Sequence, residues 1–137
     1  MLSNVRQGPA PAAASAVALG TVLLVDDEQA IRKLVARILD RSGYTVLQAE
    51  DGDDALRVAG DHGGPIDVVL TDLVMPGMGG VEVAARLRLR WPSLRVVYMS
   101  GYGEEDLSAH GVHGAELFLS KPFRPEDVVT RVGEALC

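Results

Sequence analysis

The stretch Ile66-Asp67-Val68-Val69-Leu70-Thr71-Asp72-Leu73-Val74-Met75-Pro76-Gly77 decides how this chain is read. A short run of β-branched and aliphatic residues closed by Pro-Gly predicts a buried strand followed by a turn. Asp72 stands at that junction, the carboxyl end of a strand, where open α/β sheets place their ligand crevices. An earlier apolar run, Val22-Leu23-Leu24-Val25, ends in the same manner on Asp26-Asp27-Glu28. If the two strands lie side by side in a parallel sheet, three carboxylates converge at one rim. Such a cluster repels itself and calls for a cation, a proton or a function.

Working outward, strand-like and helix-like segments alternate five times. Strands are expected over Thr21–Val25, Thr45–Ala49, Ile66–Thr71, Leu94–Met99 and Ala115–Leu119. The first helix, Glu28–Ser42, carries Ile31, Leu34, Val35, Ile38 and Leu39 at helical spacing and is closed by Gly43; all five read as core, with Ile31 at the edge. Asp51 is placed to cap a second helix bearing Ala55, Leu56, Val58 and Ala59. A third helix, Val81–Arg90, stops at Trp91-Pro92. A short polar helix is expected over Glu104–Ala109, and Pro125 suits the first turn of a last helix whose apolar positions are Val128, Val129, Val132 and Leu136. The fold class is α/β. Five βα units with right-handed crossovers predict a doubly wound five-stranded parallel sheet with helices on both faces.

Composition narrows the function. The chain has 137 residues, 47% apolar and 23% charged, which suits one globular domain with a real core. A net charge of −6 without a Lys/Arg cluster disfavours nucleic-acid binding. No apolar stretch approaches the roughly 20 residues needed to span a bilayer. The single cysteine, Cys137, cannot form an internal disulfide, in keeping with a reducing, cytoplasmic setting. Residues 1–20 are Ala/Pro-rich and read as a flexible tail or linker, since Pro9 and Pro11 interrupt any secretory apolar stretch; the folded domain is expected over 21–137. There is neither a GxGxxG after the first strand nor a GxxxxGK[ST], so phosphate chemistry here would rest on acids and a metal.

At the carboxyl ends of the strands stand Asp26 and Asp27, Asp72, Ser100-Gly101 and Lys121-Pro122, Lys121 being one of only two lysines. Singly, Asp27 reads as a helix cap, Asp72 as a turn residue, Lys121 as a solvated lysine and Ser100-Gly101 as turn chemistry. Those readings do not explain why all four fall at one rim. The set resembles the receiver domain of two-component response regulators. The motifs are Leu24-Val25-Asp26-Asp27-Glu28, Thr71-Asp72-Leu73-Val74-Met75-Pro76-Gly77-Met78-Gly79-Gly80, Met99-Ser100-Gly101-Tyr102 and Leu119-Ser120-Lys121-Pro122-Phe123, and the match runs from about Thr21 to Leu136.

The resemblance implies a flavodoxin-like strand order, 2-1-3-4-5. It implies that Asp72 is the phospho-acceptor, attacking a phosphohistidine or a small donor such as acetyl phosphate. Asp27, Asp72 and the backbone carbonyl of Val74 would hold Mg²⁺, with Asp26 reaching it mainly through water. Lys121 would pair with the acyl phosphate, the Lys121-Pro122 bond would be cis, and Ser100 would bond a phosphoryl oxygen. Ser100 and Phe118 match the switch positions, although Phe118 is equally a core aromatic. The partners implied are a histidine kinase or a histidine phosphotransfer protein. A homodimer is one option, through a face made of the short polar helix, strand five and the last helix. Gly101–Gly114, with four glycines, is the expected mobile part.

Val74 and Tyr102 stand where relatives often carry polar side chains, and a long-lived acyl phosphate is the consequence expected. Trp91, expected far from the site, should respond weakly to Mg²⁺. His62, His110 and His113 read as surface loop residues, and Met75 and Met78 as packing for their turn. Two rival functions are a metal-dependent phosphohydrolase with an Asp nucleophile, which would want an acid where Val74 stands, and a degenerate receiver, which the intact acids oppose. The Ala/Pro tail and Met99-Ser100-Gly101-Tyr102 resemble a receiver from a hybrid sensor histidine kinase; a stand-alone regulator is the alternative.

Overall fold

Five parallel strands order themselves β2-β1-β3-β4-β5, with β1 at Thr21–Val25, β2 at Thr45–Ala49, β3 at Val68–Asp72, β4 at Arg95–Ser100 and β5 at Leu117–Ser120. In this computed structural model residues 18–101, 109, 111 and 117–137 are described. Four helices accompany the strands among them: α1 (Gln29–Arg41), α2 (Gly52–His62), α3 (Gly80–Arg90) and α4 (Pro125–Leu136). Helices α1 and α4 cover one face of the sheet, α2 and α3 the other. The tail 1–17, Tyr102, His110, His113, the first two residues of the expected fifth strand and most of both the expected polar helix and the Gly101–Gly114 segment lie outside the described residues.

Alternation along the strands splits the core in two. Val22, Leu24, Val68, Leu70, Val97, Met99 and Leu119 pack against Val35 and Leu39 of α1 and Val128 and Val132 of α4. Leu23, Val25, Val69, Val96 and Tyr98 pack against Ala55 and Ala59 of α2 and Val83 and Leu87 of α3. Each fully buried Val or Leu contributes about 1.5–3 kcal/mol, so the β1–β3 pair, apolar on both faces, anchors the sheet. That is the burial pattern of a parallel sheet covered on both sides.

The helix ends follow from local chemistry. Asp51 Oδ1 accepts the Asp54 N–H at 2.8 Å and caps α2, which Gly63 closes at φ 69°. Helix α3 ends where Trp91 leaves the helical conformation, at φ −119° and ψ 78°, before Pro92. Pro125 opens α4, where Arg124 N–H donates to Asp127 Oδ2 at 2.9 Å.

Two expectations need correcting. Leu34 is 51% exposed and is not core; α1 buries Val35, Ala36 and Leu39, with Ile31 and Ile38 at the margins. The apolar stripe of α1 is one residue narrower than its helical spacing predicts. His62 belongs to the last turn of α2 and not to a loop.

Candidate functional site

Each strand of the central trio delivers its site residue at its carboxyl end. Asp26 follows β1 directly, and its N–H still bonds the Ala49 carbonyl at 3.2 Å. Its side chain is fully buried, Oδ1 accepting the Glu28 N–H at 2.9 Å. Asp27, next in the turn, is exposed. It does not cap α1: the N-cap is Glu28, without a side-chain bond.

Asp72 is the last residue of β3, paired with Met99 of β4, and only 8% exposed. The turn after it is held by Leu73 N–H to the Met99 carbonyl (2.9 Å) and Gly80 N–H to the Leu73 carbonyl (3.0 Å). Gly80 is required there, because a Cβ would sit 2.3 Å from the Asp72 carbonyl oxygen. Gly80 lies in the motif that follows Asp72, but its spacing alone does not reveal this role. A glycine opening a helix directly after such a turn is the signal that was available.

Lys121 follows β5, its N–H donating to the Ser100 carbonyl at 2.8 Å, and the Lys121-Pro122 peptide is cis. Its Nζ lies 3.0 Å from Asp72 Oδ1 and 3.4 Å from Asp26 Oδ2. One cation is thus shared between two buried acids. Carboxylate oxygens of Asp26, Asp27 and Asp72 all lie within 4.8 Å of one another. Ser100 ends β4, buried beside them. Asp72, Val74, Met99, Ser100, Gly101 and Lys121 line a cavity of about 450 Å³, with the Val74 side chain half exposed at its wall. Phe118 is partly buried, in register with Tyr98 of β4, and its carbonyl accepts from Arg131 Nε at 3.0 Å.

Three acids against one lysine leave the site short of positive charge. Burial pushes the Asp72 carboxyl up to about 7; the charge of Asp26 pushes the same way, and Lys121 opposes both. Repulsion between acids, the cause expected from sequence, is therefore secondary to desolvation. Burial pulls the Lys121 ammonium down, but its pairs with Asp72 and Asp26 outweigh that and hold it above its ordinary value. A site of hard carboxylate oxygens, converged and under-neutralised, suits a small divalent cation such as Mg²⁺.

The model of the response regulator receiver domain family matches residues 22–133. The chain belongs to that family. It is a receiver domain of two-component signalling. It is 39% identical over 117 residues to the sensor kinase CckA of Brucella abortus, a match covering 85% of this chain and 12% of that protein. It is 35% identical over 119 residues to the phosphate regulon transcriptional regulatory protein PhoB of Pseudomonas aeruginosa, covering 85% of this chain and 51% of the relative. The chain therefore spans about half or less of these relatives' lengths. Among solved structures, the receiver domain of the hybrid histidine kinase CckA superposes with a TM-score of 0.72 at 36% identity, covering 86% of this chain and all of that one.

Receivers bind Mg²⁺ at an acidic pocket, and the three aspartates provide one here. Receivers are signalling modules that engage histidine kinases or phosphotransfer proteins. Among the described residues, no helix is long and apolar enough to cross a membrane.

Proposed function

We propose that Asp72 is the phospho-acceptor of this receiver, and that the chain catalyses its own phosphorylation and dephosphorylation without being an enzyme towards other substrates. The observation that carries this reading is the Lys121 ammonium 3.0 Å from Asp72 Oδ1 in a buried, acid-rich pocket. An Asp72 oxygen attacks phosphorus, the P–N bond of a phosphohistidine breaks, and the imidazole leaves with the electron pair and takes a proton from solvent. Lys121 pairs with the acyl phosphate, and Ser100, buried at the end of β4, donates to one of its oxygens. Asp27, Asp72 and the Val74 carbonyl would hold Mg²⁺, with Asp26 acting mainly through water. When bound, the ion supplies counter-charge to the phosphoryl oxygens.

Readout follows from a local charge event biasing a two-state face. Ser100 and Phe118 are its proposed switch residues, and β5 with α4 forms the described part of the face, through which a homodimer can form. The partner is a histidine kinase or phosphotransfer protein, not nucleic acid, and the setting is cytoplasmic. We assign the receiver to residues 21–137 and the tail to 1–20. The similarity to the CckA kinase favours a receiver taken from a hybrid kinase over a stand-alone regulator.

Intact-mass measurement after incubation with acetyl phosphate and Mg²⁺ tests this. One added phosphate, absent in Asp72→Asn, is the expected result. Continuous release of inorganic phosphate would indicate a phosphohydrolase, and no modification would indicate a degenerate receiver.

A further inference from the structure

Arg32 lies one helical turn beyond the acidic step, and its Nη1 donates to the backbone carbonyl of Asp26 at 2.7 Å. In a continuing parallel ladder that carbonyl would accept from the neighbouring strand. Strand β2 has already left the sheet there. Glu50 N–H donates to Asp54 Oδ2 at 3.1 Å, and Asp51 turns the chain into α2. The guanidinium of Arg32 therefore takes the place of the missing rung.

With that bond, each polar group of Asp26 is held. Its N–H is bound to Ala49, its Oδ1 to the Glu28 N–H, its Oδ2 to Lys121 and its carbonyl to Arg32. The Arg32 N–H in turn bonds the Glu28 carbonyl at 3.0 Å, tying the start of α1 to the same turn. Among the described residues, Asp27 is the one acid of the cluster that nothing holds by a hydrogen bond; it is exposed and next in sequence. Its carboxylate can face Asp72 only if the peptide joining it to Asp26 keeps its orientation, and Arg32 bonds that peptide's oxygen.

We propose that Arg32 is a positioning residue for cation binding, acting through the Asp26–Asp27 peptide and not by touching the ion. The inference rests on the Mg²⁺ reading above, and it makes a prediction of unusual sign. A cation that merely sat near three acids would compete with Mg²⁺, so removing it would tighten binding. A positioning residue does the opposite.

Calorimetric titration of Mg²⁺ into wild type, Arg32→Met and Arg32→Lys separates the two, with melting temperatures in chelator measured alongside to establish folding. Arg32→Met keeps the aliphatic stem and loses the donors; its Kd for Mg²⁺ should rise about tenfold, the usual cost of losing a group that orients a ligand. Arg32→Lys keeps the charge but loses the reach of the guanidinium. Its Kd should rise by a smaller factor, where a purely electrostatic role predicts no change. A Kd equal to or below wild type in either folded variant overturns the proposal. Failure of wild type itself to bind Mg²⁺ would instead remove the site reading on which it rests.

Discussion

The two ends of the sheet carry cavities of similar size and opposite electrostatic character. At the carboxyl end, about 450 Å³ is lined by Asp72, Val74, Met99, Ser100, Gly101 and Lys121. At the amino end, about 420 Å³ is lined by residues that include Asp67, Arg90, Trp91 and Arg95. The amino end has its polar groups in order. Asp67 accepts the Thr21 N–H at 2.8 Å, the Trp91 indole donates to the Gly64 carbonyl at 3.2 Å, and Arg90 stacks 4.7 Å above the Trp91 ring. The carboxyl end packs three carboxylates around one ammonium. Size does not distinguish a site from a crevice in this fold; unbalanced buried charge does.

The largest way to break this contrast is to remove the shared cation. Lys121→Ala should destabilise the Mg²⁺-free protein by on the order of 3 kcal/mol at pH 8, because two buried acids lose their partner. Chemical denaturation measures it. Asp67→Ala, at the other end, should cost only about 1 kcal/mol, the worth of an ordinary hydrogen bond.

Next in size is the pH dependence of Asp72. Its carboxyl titrates near 7 in the fold against an ordinary 3.8, so between those values the folded state holds more protons than the unfolded one. Stability from this group is therefore lost as pH rises from about 4 to about 7. In Mg²⁺-free buffer, Asp72→Asn should be more stable than wild type at pH 8 and nearly equal to it at pH 4. Urea unfolding at the two pH values gives the answer; a difference independent of pH would show that Asp72 is not strained by its charge.

Smaller again is the effect of the apolar wall. Val74→Asn should shorten the acyl-phosphate lifetime several-fold by giving the attacking water a polar partner. Decay of phosphorylated protein in Mg²⁺ buffer reads this directly, and a wild-type half-life of seconds would refute the idea of a protected phosphate. Smallest of all, emission from Trp91 should barely change on Mg²⁺ addition, since the ring belongs to the settled end of the sheet.

Much of this contrast was legible in the sequence, because a parallel sheet maps strand order onto space. Runs such as Val22–Val25 and Val68–Leu70 announce strands, and whatever follows each one must gather at the same edge. Four features were hidden for physical reasons. Periodicity gives the direction of a helix's apolar face but not its width, so it does not show that Leu34 lies half exposed at the edge of that face. Gly80 matters through a backbone contact with Asp72, invisible without the turn geometry. Arg32 bonds a carbonyl that is free only because β2 ends at Ala49, a fact about the neighbouring strand. The dominance of desolvation over repulsion at Asp72 likewise depends on burial depth, which spacing does not report.

Thermal melting at pH 8 with and without Mg²⁺ puts the central contrast to the test, in wild type, Asp72→Asn and Asp67→Asn. Mg²⁺ should raise the melting temperature of wild type and Asp67→Asn alike, and the rise should largely vanish in Asp72→Asn. An undiminished rise in Asp72→Asn, or none in wild type, would contradict a cation site centred on Asp72.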